Sequence, residues 1–112
     1  MKSYTKSELK EKITLAEQKI KAFAAQYSAE PVQVFSYGAY DIDPKHLVFW
    51  VSVQSDAMKI ILQETIEWKQ ELSRILKSVE YPEAGISGVH IGVESQESVD
   101  RESAGNWWHH FK

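Results

Sequence analysis

The sequence predicts an α+β domain built as a two-layer α/β sandwich. The predicted order is α-β-β-α-β-β, with two helices on one face of a mainly antiparallel four-stranded sheet. Three observations carry this. Two long segments place apolar residues at helical spacing, short β-branched and aromatic runs alternate between faces, and turn-forming residues punctuate the joins.

The first helix is predicted over residues 5–28. Thr5-Lys6-Ser7-Glu8 fits a capping box, in which the hydroxyl and carboxylate satisfy early backbone N–H groups. Leu9, Ile13, Ala16, Ile20, Phe23 and Tyr27 then recur at alternating spacings of four and three, one apolar stripe. Glu8–Lys12 and Glu17–Lys21 have the favourable i,i+4 order, so the polar residues of this helix form a solvated face. Residues 32–38 (VQVFSYG) and 46–54 (HLVFWVSVQ) read as strands, and Asp41, Asp43 and Pro44 between them suit the turn of a hairpin. In the second strand Leu47, Phe49, Val51 and Val53 share the core face, leaving Val48, Trp50, Ser52 and Gln54 on the other.

Ser55 or Asp56 caps a second predicted helix over residues 56–79. Its stripe of Met58, Ile61, Leu62, Thr65, Trp68, Leu72, Ile75, Leu76 and Val79 spans about 140°. Tyr81-Pro82 stops it. Residues 88–94 (GVHIGVE) alternate Val89, Ile91 and Val93 against His90, Gly92 and Glu94, a third strand, and NWWHHF at 106–111 reads as a short fourth.

Composition bounds the function more than it defines it. The 112 residues are 43% hydrophobic and 26% charged, which fits one domain over residues 1–112 and excludes wholesale disorder. The absence of cysteine excludes disulfides, cysteine-ligated zinc and thiol catalysis. There is no apolar run long enough for a membrane span, and MKSYTKSELK lacks the apolar core of a secretory leader, so a cytoplasmic protein with no membrane partner is expected. The net charge of −3 is uneven: residues 81–112 hold only Arg101 and Lys112 against Glu83, Glu94, Glu97, Asp100 and Glu102. That third would repel phosphates, which argues against a nucleic-acid partner.

The C-terminal segment 94–108 is the least generic part of the chain. It sets Glu94, Glu97, Asp100 and Glu102 with Arg101, two amides, Trp107 and Trp108 between the last two predicted strands. ESQE at 94–97, VDR at 99–101 and GNWW at 105–108, behind a helix ending in Tyr81-Pro82, resemble a family of small bacterial proteins with an ESQExVDRxxxGNWW-type motif. The likeness covers the chain from the second strand onward. It implies a single-domain bacterial protein and assigns no chemistry.

Arg101 beside Glu97 and Asp100 is equipped either to staple its own loop through bidentate hydrogen bonds or to belong to an acidic recognition loop. Metal binding is poorly supported. His90 and Glu94 stand roughly 13 Å apart on a strand, and His109 and His110 would face opposite sides. A site from Glu94, Glu97, His90 and one C-terminal histidine has no motif behind it, and no cofactor is implied. No nucleophile elbow, triad-like motif or phosphate loop is present. The predicted sheet leaves one face open, with Trp50, His90, Glu94 and one of Trp107 and Trp108 on it, joined by either Phe35 and Tyr37 or Val32 and Val34. Large amphipathic rings favour protein interfaces.

The leading expectation is therefore a non-enzymatic domain that binds another protein, in concrete form an immunity protein neutralising a basic toxin. Its contact residues would be Trp50, His90, Glu94, Glu97, Asp100, Arg101, Glu102, Trp107, Trp108 and His109. The alternative is an enzyme or small-ligand site at 94–109 using Glu94, Gln96, Glu97, Arg101, Asn106 and His109. A homodimer joined through open sheet faces is a third.

Overall fold

The computed structural model describes residues 4–111. Helix α1 runs Lys6–Ala25, with the Thr5 hydroxyl accepting from the Glu8 N–H and donating to the Glu8 carboxylate. Leu9, Ile13, Ala16, Ile20 and Ala24 are its buried stripe. It ends short of Tyr27, whose ring stays exposed.

Strands β1 (Gln33–Tyr37) and β2 (Val48–Val53) pair antiparallel, Phe35 opposite Trp50 and Val34 opposite Val51. The reversal between them depends on Gly38. Its φ is +132°, and a Cβ there would lie 2.1 Å from the His46 carbonyl oxygen. As the alternation predicts, Leu47, Phe49, Val51 and Val53 are almost fully buried.

The predicted second helix is two helices, α2 (Asp56–Thr65) and α3 (Trp68–Ser78). At Ile66 the backbone becomes extended (φ −104°, ψ 131°), and the Trp68 indole N–H donates to the Leu62 carbonyl at 3.1 Å. The break turns Ile66 into the core and leaves Ile61 and Thr65 outside, although both lie on the predicted stripe. After a single turn, α4 (Glu83–Ile86), strand β3 (His90–Ser95) pairs with β2. It runs parallel to β2, not antiparallel, because the helical crossover over residues 54–89 returns the chain to the starting end of β2.

The four-stranded, mainly antiparallel sheet with two helices is thus overturned: the described residues form six helices and a three-stranded mixed sheet, order β1-β2-β3. The predicted loop after β3 is helix α5 (Gln96–Ser103), N-capped by the Ser95 side chain. The predicted fourth strand is helix α6 (Trp107–His110), whose N-cap Asn106 accepts from the His109 N–H at 2.9 Å. A strand would point Trp107, His109 and Phe111 the same way. The helix instead gathers Trp107, His110 and Phe111, while Trp108 and His109 face solvent.

Helices α1, α2 and α3 cover the core face of the sheet. Its opposite face carries Phe35, Tyr37, Trp50 and Gly92, and α6 reaches that face: Phe111 stacks on Trp50 at 4.3 Å and Trp107 meets Phe35 edge-on at 5.7 Å.

Candidate functional site

Strands β2 and β3 end side by side, Val53 opposite Ser95, and each passes through a serine cap into a helix. Two helix N-termini therefore lie next to each other, where unsatisfied N–H groups and aligned dipoles favour negative charge. The chain supplies that charge from its own carboxylates. Asp56, the first residue of α2, accepts from the Ser95 and Ser98 hydroxyls and from the Arg101 guanidinium, all belonging to α5 or its cap. In return, Glu97 of α5 accepts from the Asp56 N–H at 2.7 Å. Glu30, from the loop before β1, accepts from the Gln54 and Ser55 N–H groups and the Ser55 hydroxyl.

These contacts set the protonation states. The Ser95 and Ser98 hydroxyls and Arg101 hold the Asp56 carboxyl far below its ordinary range, and Asp56 in turn raises Arg101. The Ser55 hydroxyl and N–H lower Glu30.

Beside this clasp lies a more buried polar chain. Glu94 is only 8% exposed. One carboxylate oxygen receives the Lys59 ammonium at 2.6 Å and the Ser95 N–H at 2.9 Å, and the other meets His110 Nε2 at 2.9 Å. Burial pushes the Glu94 carboxyl up, but Lys59, the Ser95 N–H and His110 together outweigh it, and the group lies below its ordinary value. His110 Nδ1 is 3.0 Å from the Ser103 hydroxyl. With Glu94 ionised and the imidazole neutral, Nε2 donates to Glu94 and Nδ1 accepts from Ser103.

Ser103, His110 and Glu94 have the residue types of a nucleophile–base–acid relay, but not its surroundings. Ser103 closes α5, the carbonyl end of the helix dipole. The N–H groups of Ala104 and Gly105 are committed to Val99, and that of Asn106 to Ser103 itself. An oxyanion needs free donors at that position. The arrangement acts as a tether that fixes α6 to β3.

The structure divides the sequence-predicted residues into three groups. Glu94, Glu97 and Arg101 belong to the clasp or the tether. Trp50 and Trp107 are half-buried in the aromatic cluster, the Trp107 indole donating to Gln96 and Gln96 to Asp100. Trp108 is 79% exposed and, with Asp100, Glu102, His109 and His90, faces solvent. Of the two pairs considered to share the outer face, it is Phe35 and Tyr37 that do so, and not Val32 and Val34. The polar groups expected to line a ligand pocket are instead spent within the fold: Glu94 on Lys59 and His110, Gln96 on Asp100 and Trp107, Glu97 on the Asp56 N–H, Arg101 on Asp56, and Asn106 on the His109 N–H. Glu94 turns to His110 rather than His109, and no set of three metal-ligating side chains converges among the described residues.

Sequence reasoning missed Lys59, Ser95, Ser98, Ser103 and His110 as site residues, and saw Asp56 only as a cap. One signal was available: Ser95-Gln96-Glu97-Ser98 directly after a strand repeats the start of α2, a serine followed by acid in the first turn. No helix among the described residues is long and apolar enough to cross a membrane. Comparisons of the chain with protein-family models, with curated proteins and with solved structures find no match.

Proposed function

We propose that the chain is a protein-binding domain whose contact surface is the exposed side of α5 and α6. Trp108 is its apolar anchor and Glu97, Asp100 and Glu102 are its charge. The observation that carries this is the 79% exposure of Trp108 beside an acidic helix. A large ring left in water contributes nothing to the fold and is a frequent anchor at interfaces. Arg101 is paired with Asp56 and Glu102, which leaves Glu97 and Asp100 as excess negative charge on this surface. The surface therefore suits a basic partner, and neutralisation of a basic toxin in the manner of an immunity protein is its concrete form. Acidic residues around an aromatic anchor steer a basic protein into contact and speed association at low salt. Trp50 lies under α6 and Trp107 is on that helix's inward side, so both serve to seat α6 rather than to meet the partner.

The test is capture from a lysate of the source organism, with tagged wild type beside an Asp100→Lys/Trp108→Ala variant whose circular dichroism is unchanged. One basic protein is expected, held by the wild type, lost by the variant and released by salt. Retention of the same proteins by both, or of none by either, would remove this reading.

A further inference from the structure

The ring of His110 joins α6 to two other elements, and both of its nitrogens are engaged. Nε2 lies 2.9 Å from one oxygen of Glu94 on β3, and Nδ1 lies 3.0 Å from the hydroxyl of Ser103, the last residue of α5. The side chains of His110 and Glu94 are each only 11% exposed, so water screens the contact weakly. The Phe111 ring meets the imidazole edge-on at 5.0 Å. The neighbouring imidazole, His109, faces solvent.

The charges around His110 come from three elements. Glu94 of β3 faces it directly. Behind Glu94 stands Lys59 of α2, 2.6 Å from the other carboxylate oxygen and 3.5 Å from the Ser98 hydroxyl. That hydroxyl is shared with Asp56 of α2 and Arg101 of α5. Glu97 accepts from the Asp56 N–H, and Glu102 lies 3.6 Å from Arg101. The connected set thus holds the carboxylates of Asp56, Glu94, Glu97 and Glu102 against two cations, Lys59 and Arg101. His110 is the group bonded to this set that can supply a third.

Two protonations therefore act on α6 in opposite directions. As pH falls, histidines charge before carboxylates do. A charged imidazole keeps its bond to Glu94 as a half-buried ion pair, and the Ser103 hydroxyl turns from donor to acceptor, so neither nitrogen loses its partner. A further fall neutralises Glu94. Burial raises that carboxyl, but Lys59, the Ser95 N–H and His110 lower it more, so its anionic contribution is lost as pH falls below 4.5 through the depressed value. Lys59 then keeps Asp56 within reach through Ser98. His110 has no second anion among the described residues, and a buried cation without a partner favours leaving.

We propose that His110 is a proton-operated lock on α6: mild acid tightens the helix onto β3, and stronger acid releases it. Trp108 lies on α6, so the lock also governs whether the anchor of the α5–α6 surface is presented. That consequence rests on the protein-binding reading, whereas the lock is a property of the free domain. A helix of four residues opens locally, without unfolding of the core, so the lock is read in its own amides and not in the melting of the whole domain.

The experiment follows amide exchange in the free domain by NMR between about pH 8 and pH 3, each rate divided by that of an unstructured peptide at the same pH. The probes are the amides of His109, His110 and Phe111, which bond to Asn106 and Trp107, with the amides of β2 as the reference for the core. Protection of α6 is expected to rise about fivefold from pH 8 to about pH 5, as a neutral hydrogen bond becomes a charged one. It should then fall away below about pH 4 while β2 stays protected. His110→Gln keeps a donor towards Glu94 without a titrating ring and should remove the rise, as should Glu94→Gln, whereas His109→Gln should leave the profile unchanged. If His110→Gln loses α6 altogether, the wild-type profile beside that of His109→Gln decides. Protection that stays level or declines from pH 8 to pH 5, or a rise that His109→Gln abolishes, would overturn the lock. So would loss of β2 protection together with that of α6 in acid, since the release would then be general unfolding. A lock that works in a domain that captures no partner removes the α5–α6 reading alone.

Discussion

Asp56 joins two helices through one carboxylate, and the consequence is a specific pH dependence. Its donors Ser95, Ser98 and Arg101 favour the charged form, so its folded value lies below the ordinary 3.8, and Glu94 and Glu30 lie below 4.5. A carboxyl depressed in the folded state stabilises fully above its unfolded value, and that stabilisation is lost as pH falls towards the folded value. The melting temperature should therefore be flat from neutrality to about pH 5 and fall below it as protons compete for these three groups. Asp56→Asn should start lower, because its amide nitrogen cannot accept where Arg101 donates, and should fall less steeply in acid. Thermal unfolding followed by circular dichroism between about pH 7 and pH 3 checks both. Parallel curves for the two proteins would mean that Asp56 is not a source of the acid sensitivity. The sequence marks Asp56 as a helix cap and Arg101 as an ion-pairing residue, but not that the two meet. Asp56 and Arg101 are far apart in the chain, and their meeting depends on β2 and β3 being parallel neighbours, a pairing that local pattern does not encode.

Helix α6 is a four-residue element that has no stability by itself. It persists because Asn106 caps it, His110 is tied to Glu94, and Phe111 stacks on Trp50. Gly92 makes room for that stack, since a Cβ there would stand 2.5 Å from Trp50 Cζ3. Gly92→Ala should push the indole into Phe111 and destabilise the fold by about 1–3 kcal/mol, the usual cost of overpacking. In a Phe111→Ala background the indole has space to move, so the same substitution should cost less. A double-mutant cycle from denaturant unfolding, with tryptophan emission as a second probe, measures the difference. Additive costs would show that Gly92 and Phe111 do not act through Trp50. Sequence pattern recovered the elements whose partners are local or strongly periodic: α1 from its stripe and cap, and β1 with β2 from alternation and turn residues. It misread the segments that tertiary contacts decide. Trp-Trp-His-His-Phe has high β-propensity, yet aromatic propensity reports fit to a surface, and here that surface is the sheet, against which a helix presents the rings better. The α2–α3 break was hidden for a related reason. Ile61 and Ile66 are both apolar candidates for the core, and only packing selects Ile66.

The whole molecule measures 45 × 28 × 19 Å, and the short dimension is the depth of little more than one sheet and one helix layer. The helical face of the sheet is closed by α1, α2 and α3. The other face depends on the last few residues of the chain, which cover Phe35 and Trp50 while Tyr37 remains partly exposed. A three-stranded sheet with one such cover has little excess apolar burial to lose. Truncation after Ser103 removes α6 but leaves α5 and its clasp to Asp56, so the core face should survive while the aromatic face becomes bare. The expected result is a folded chain of unchanged helical layer that self-associates as its concentration rises, because an exposed patch of rings is a strong driver of pairing. Sedimentation velocity over a range of concentrations, with amide exchange on β2 as the test of folding, separates the outcomes. A truncated chain that stays folded and monomeric would show that the sheet tolerates its open face and that α6 is retained for its outward side, where Trp108 stands. A chain that unfolds would place α6 among the elements the core requires.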